Sequence, residues 1–199
     1  MRWQVPAAFA AAVLVSVVVA GCGEGGVSAA VEAGPTASVE LAAARDSLLS
    51  PSEVAGLNGA TTTMDASDIS SEASDPDVAT WLDDDEFVGA VRRDLRGRAR
   101  DVTGADSRVL VFADAEGAAS FLQAVADDPD PFFGAPSTVR PLSLGETDGV
   151  LIKPPVCACA GAQPVYVALA THDNRLLWLQ ITGPRATAAD AKRLLSTVL

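Results

Sequence analysis

Val165-Tyr166-Val167-Ala168-Leu169-Ala170-Thr171 and Leu176-Leu177-Trp178-Leu179-Gln180-Ile181-Thr182 are two runs of aliphatic, aromatic and β-branched residues joined through His172-Asp173-Asn174-Arg175. Asp and Asn tolerate the positive φ of a tight reversal, so the stretch reads as a β-hairpin. Upstream, Arg108-Val109-Leu110-Val111-Phe112 reads as a further strand. Asp114 then stands where it can cap a helix whose Ala118, Phe121, Leu122 and Val125 fall at i, i+3, i+4 and i+7. Asp127-Asp128-Pro129-Asp130-Pro131 stops that helix, and strands are expected over about 138–144 and 149–153. Downstream, Thr187 and Asp190 have the spacing of a capping box, and Ala191, Leu194, Leu195 and Val198 give a last amphipathic helix. The strands cluster with short links and do not alternate one for one with helices. The expected fold is therefore α+β, a single domain with an antiparallel sheet and helices packed on one face. A doubly wound parallel sheet lacks the crossover helices it would need.

The first half of the domain is less explicit. Ser50-Pro51-Ser52-Glu53 has capping-box spacing with proline at the first helical position, so a short helix through Val54, Ala55 and Leu57 is expected, stopped by Asn58-Gly59. From Ala60 to about Pro76 the Thr, Ser, Asp and Ala composition reads as loop. Phe87, Val88, Val91 and Leu95 fit a helical face, whereas Phe87, Gly89, Val91, Arg93 and Leu95 fit a strand, so residues 86–96 stay open between the two.

The N-terminus carries targeting information. Arg2 is followed by an apolar run from Val5 to Ala20, which is shorter than the roughly 20 residues of a spanning helix and ends in small residues. Residues 1–21 therefore read as a cleaved secretory leader. Its ending, Val19-Ala20-Gly21-Cys22, resembles the lipobox of bacterial lipoproteins, and the resemblance implies that Cys22 becomes the acylated first residue of the mature chain. Several acyl chains anchor a protein stably to a membrane. The expected location is the outer face of the cell membrane, with residues 22–40 as a Gly-, Ala- and Ser-rich tether and 41–199 as the extracytoplasmic domain.

Charge narrows the partners. The chain has 14 basic and 26 acidic residues; without Arg2 the mature protein sets 13 against 26, a formal charge of −13. Phosphate backbones and anionic headgroups repel such a chain as a whole, which argues against nucleic acid and against electrostatic membrane adhesion. The charges are also segregated. Eleven acids and no base lie between Asp46 and Val91, and Arg92, Arg93, Arg96, Arg98 and Arg100 follow. This reads as a solvated acidic stretch balanced by a basic face, with an anion site as the sharper alternative. Asp83-Asp84-Asp85-Glu86 lacks the alternating acids and glycine of a calcium loop, so no metal site is expected.

Catalytic signatures are missing. His172 is the single histidine and sits in the hairpin turn; no G-x-S-x-G, H-E-x-x-H or phosphate-loop pattern is present. Gly21, Gly23 and Gly26 spell G-x-G-x-x-G, but they straddle the cleavage site and follow no strand. The chain is expected to be no enzyme and to carry no cofactor. Phe132 and Phe133, between Pro131 and Pro136, are candidate ligand contacts, weighed against packing beneath the preceding helix.

Cys157 and Cys159 lie one residue apart, after Pro154-Pro155 and before Gly161, which describes a loop. A metal site needs more ligands than two thiolates, and a redox pair is more usually C-x-x-C opening a helix. Outside the membrane, with Cys22 acylated, two thiols remain, and even pairing favours a local disulfide. Such an i, i+2 bridge demands a tight bend.

The order of these features, from lipobox and Ala/Ser tether through Leu48-Leu49-Ser50-Pro51-Ser52-Glu53-Val54, a strand ending Val109-Leu110-Val111-Phe112, the Ala113–Leu122 helix and a hairpin ending Trp178-Leu179-Gln180-Ile181-Thr182, resembles small actinobacterial cell-envelope lipoproteins. It is also similar to the extracellular sensor domains of actinobacterial receptor kinases, which share the Leu-Leu-Ser-x-x-Glu-Val phrase. Those domains usually hold two disulfides, whereas here only Cys157 and Cys159 remain to pair. The resemblance implies a membrane-anchored, non-catalytic, sensor-like domain that binds a small molecule, a lipid or an envelope protein. The alternatives are an accessory protein-interaction module and a thiol-redox protein using Cys157 and Cys159.

Overall fold

The computed structural model describes residues 35–97, 101–134, 136–156 and 160–199. Cys22, Cys157, Cys159, Arg98 and Arg100 lie outside them. Seven strands form one antiparallel sheet: β1 (Leu57–Met64), β2 (Phe87–Gly97), β3 (Gly104–Phe112), β4 (Thr138–Leu144), β5 (Thr147–Lys153), β6 (Val165–His172) and β7 (Arg175–Thr182). Their spatial order is β1-β2-β3-β7-β6-β5-β4, with β3 and β7 at the centre. The β6–β7 hairpin closes on His172 paired with Arg175, and Asp173 takes φ 51° between them. Among the described residues six α-helices complete the α+β domain: α1 (Pro35–Ala44), α2 (Ala66–Glu72), α3 (Asp77–Asp84), α4 (Ala115–Asp127), α5 (Asp130–Phe133) and α6 (Ala188–Leu195). Among the described residues no helix is long and apolar enough to cross a membrane.

The helices cover both faces of the sheet, which corrects the expectation of one. On the first face Leu41 and Ala44 of α1 and Ala191, Leu194 and Leu195 of α6 pack on Val91, Val109, Leu177 and Leu179. On the second, Ile69, Val78, Leu82, Phe121 and Val125 pack on Ala90, Leu110, Phe112, Leu176 and Trp178. The cause is the composition of the central strands. Val109 through Phe112 and Leu176 through Leu179 are apolar at consecutive positions, so each strand presents apolar side chains on both sides and both must be removed from water. Every residue of β3 is buried.

Two local expectations also change. The helix after Ser50 does not form: Glu53 still accepts a hydrogen bond from the Ser50 backbone N–H (2.5 Å), but Gly56 takes φ 86° and turns the chain into β1. Val54 and Leu57 are thereby delivered to the first-face core. The stretch read as loop holds the end of β1 and α2, whose capping box joins Asp65 and Asp68, and it buries Ile69. Residues 87–97 resolve as strand β2, paired with β1 and β3 on its two edges.

α1 begins inside the stretch expected as tether. Its Glu40 carboxylate accepts a hydrogen bond from the Asn174 side-chain amide at 2.9 Å, and the same amide donates to the Phe112 carbonyl at 2.9 Å, which ties α1 to the β6–β7 turn.

Candidate functional site

Phe132 and Phe133 are placed by α5 against the second-face core. The Phe132 ring centroid is 5.3 Å from Trp178, 6.1 Å from Phe121 and 6.4 Å from Trp81; Phe133 is 5.3 Å from Trp178. These separations are those of packed aromatic pairs. The two side chains are half-buried, and neither lines any of the grooves described below. Trp178 is buried and its indole N–H has no hydrogen-bond partner among the described residues.

Beyond the helices of the second face, the sheet carries a charged cluster. Arg92 and Arg108 are cross-strand partners on β2 and β3. Arg92 donates Nε and Nη2 to the Asp106 carboxylate at 3.1 and 2.6 Å, and Arg108 does the same at 3.1 and 2.7 Å. Glu72, from the end of α2, receives the remaining Nη1 of each. Burial alone would depress the Arg108 pKa; the bonds and charges of Asp106 and Glu72 outweigh it and hold it above the ordinary value. Arg108 also lies 5.2 Å from the centroid of Trp178. All of these charges are matched within the cluster, which makes it a fixed part of the sheet.

The Leu-Leu-Ser phrase is likewise engaged in the fold. Leu48 and Leu49 are buried, the Leu49 N–H donates to the Ser107 hydroxyl at 3.0 Å, and Arg93 donates to the Leu49 carbonyl at 3.1 Å. The leading Arg residues of the basic run therefore serve the sheet: Arg92 through Asp106 and Arg93 through the 48–49 backbone.

The first face, by contrast, keeps unmatched positive charge. Where α6 stops short of the β4–β5 ribbon, a groove of about 180 Å³ is lined by Thr138, Arg140, Leu151, Lys153, Tyr166 and Ala188. The register explains the grouping. Thr138 pairs with Lys153 and Arg140 with Leu151 across β4–β5, while Leu151 pairs with Ala168 across β5–β6, which sets Lys153 beside Tyr166 on one side of the sheet. Lys153 Nζ is 5.8 Å from the Tyr166 ring centroid. Among the described residues neither Arg140 nor Lys153 is in an ion pair. Four further grooves each include at least one carboxylate.

Sequence reading missed this grouping, although a signal was present. Arg140 and Lys153 are the only two bases between Val109 and Thr171, in a stretch with seven acids. Their convergence needs the strand register, which no local pattern supplies.

The acidic stretch forms the opposite surface. Asp84, Asp85, Glu86, Asp114 and Glu116 line a groove of about 310 Å³, and burial raises the Asp85 pKa from its ordinary value, against a hydrogen bond with Ser120. Among the described residues no three carboxylate, thiol or imidazole groups converge as a metal site. His172 is exposed at the hairpin turn, 3.7 Å from Asp173.

No family model matches the chain. No curated protein matches it either. Among solved structures, the chain is similar to the extracellular domain of PknH from Mycobacterium tuberculosis, with a TM-score of 0.56, 14% identity, and coverage of 79% of this chain and 93% of that one. At that identity the likeness is one of fold.

Proposed function

We propose that the protein is an envelope lipoprotein, held on the outer face of the cell membrane through lipid on Cys22, whose domain is a non-catalytic, sensor-like binding module. The observation that carries the reading is the pairing of a leader ending Val-Ala-Gly-Cys with a domain whose fold is shared by an extracellular domain. The two features are independent, and both point outside the cytoplasm. The binding surface is the first-face groove, because it gathers two cations that are in no ion pair among the described residues, and an aromatic ring, with no carboxylate in its lining, whereas the four other grooves each hold at least one. Cys157 and Cys159, in the β5–β6 connection, close that loop with a local disulfide in this reading.

The test is expression in a host that processes lipoproteins. The wild-type chain should sediment with membranes, begin at an acylated Cys22 and show no free thiol after non-reducing digestion. Cys22→Ala should release it. A soluble wild-type chain, or one cleaved elsewhere, overturns the anchoring. A co-purifying molecule found by native mass spectrometry supports the binding role.

A further inference from the structure

We propose that the groove between the β4–β5 ribbon and α6 binds a headgroup-sized organic phosphate, with Arg140 and Lys153 holding the phosphate and the Tyr166 ring and Leu151 receiving its carbon skeleton. This rests on the reading of the domain as a binding module and specifies its ligand class.

Three observations carry it. First, charge is placed against the trend of the molecule: a chain of net charge −12 brings the two bases of a 63-residue stretch to one groove whose lining contains no carboxylate. Two unpaired like charges in one groove repel each other, and an anion between them turns that repulsion into two attractions. Second, the donor types suit phosphate. An arginine offers a planar fork for two oxygens, a lysine offers a point charge, and the Tyr166 hydroxyl adds a neutral donor at the same lining, while the Thr138 hydroxyl donates to the Lys153 carbonyl at 3.5 Å. The α6 N-terminus is not part of the site: its capping box joins the Thr187 and Asp190 side chains to each other and to the N–H groups of the same two residues. Third, the size and floor suit a headgroup. About 180 Å³ of open groove matches a phosphate with a few carbons, and the Tyr166 ring, Leu151 and Ala188 give that carbon portion an apolar surface.

The same chemistry is offered by a soluble phosphate monoester and by the headgroup of an anionic phospholipid. The experiment separates them with the full mature chain carrying Cys22→Ala, so that no acyl chain contributes. Glycerol 3-phosphate is titrated by calorimetry and by amide chemical shifts, and vesicles of phosphatidylglycerol or phosphatidylcholine are tested by flotation. Saturable binding of glycerol 3-phosphate, with shifts at Arg140, Lys153 and Tyr166, supports a soluble ligand; flotation with phosphatidylglycerol and not phosphatidylcholine supports a headgroup. In either case Arg140→Gln with Lys153→Gln should weaken binding by about tenfold or more, and raised salt should weaken it too. Both side chains are exposed, so the variants should fold as the parent does, which circular dichroism checks. The absence of saturable binding in both arms, or equal binding by the double variant, overturns the proposal. Should the wild-type protein nonetheless co-purify with an uncharged molecule that the double variant also retains, the phosphate assignment fails and the binding-module reading stands; with no ligand of either kind, both fail.

Discussion

Arg92 on β2 and Arg108 on β3 stand directly opposite each other, and both guanidinium groups close on the single carboxylate of Asp106. Side by side, two buried or half-buried cations would repel; Asp106 converts the pair into a clamp across the sheet. Removing one partner of such a cluster strands charge away from water, which costs about 3 kcal/mol or more. Asp106→Asn should therefore lower the urea midpoint strongly. Glu72 sits at the more open end, with 34% of its side chain exposed, so Glu72→Gln should cost only about 1 kcal/mol. Equal losses for the two variants would show that Asp106 is not the hub.

Ser107, on the other side of β3, has a different duty. Its hydroxyl is the acceptor for the buried Leu49 N–H, 58 residues away in sequence. Ser107→Ala leaves that donor without a partner in a place water does not reach, a loss of about 1 to 3 kcal/mol. Hydrogen exchange should localise the effect: the Leu49 amide should exchange much faster in the variant while the β6–β7 amides change little. Uniform acceleration would mean that the 48–49 segment is not separately held.

Gly117 lies in the first turn of α4, where alanine is the better helix former by about 1 kcal/mol. The packing reverses that preference. A Cβ at Gly117 would meet the carbonyl oxygen of Asp85 well inside contact distance. Since the obstacle is backbone at the end of α3, it cannot swing aside, and Gly117→Ala should destabilise by about 1 to 3 kcal/mol. A stabilised variant in thermal unfolding would show that α3 and α4 yield to each other freely.

The C-terminal half of the domain was legible because its elements are locally encoded. Asp114 caps α4 through the Gly117 N–H, Thr187 and Asp190 form the capping box of α6, and Asp173 takes the left-handed turn of the hairpin. The N-terminal half depends on distant partners. Leu57 and Met64 are the buried ends of an otherwise exposed edge strand, so Asn58 through Thr63 show no alternation to read. β2 mixes Arg92 and Arg93 with apolar residues and satisfied both periods, until pairing with β3 decided it. α2, at seven residues, is too short for a helical stripe. The unbroken apolar runs of β3 and β7 carry the signal that both faces are covered, because successive side chains of a strand point to opposite sides. The groove residues are legible singly but not together, since Arg140 and Lys153 meet only through the β4–β5 register.

Asp85 should make stability depend on pH in a direction opposite to the usual carboxylate. It ends α3, half-buried, with Asp84 and Glu86 as neighbours in sequence; burial foremost, with the Asp84 charge adding, raises its pKa in the folded state, while Ser120 works the other way. A carboxyl that ionises less readily when folded is harmless while protonated. The penalty appears as pH rises above the ordinary carboxylate value near 3.8 and is complete once pH exceeds the folded-state value. A negative charge at a helix C-terminus adds to it through the helix dipole. Asp85→Asn should therefore stabilise the protein at pH 7, by about 0.5 kcal/mol given its partial exposure, and change nothing near pH 3. Denaturation curves at the two pH values check this. A gain of the same size at both would assign the effect to the amide's hydrogen bonds, and a loss at pH 7 would mean that the Ser120 contact dominates.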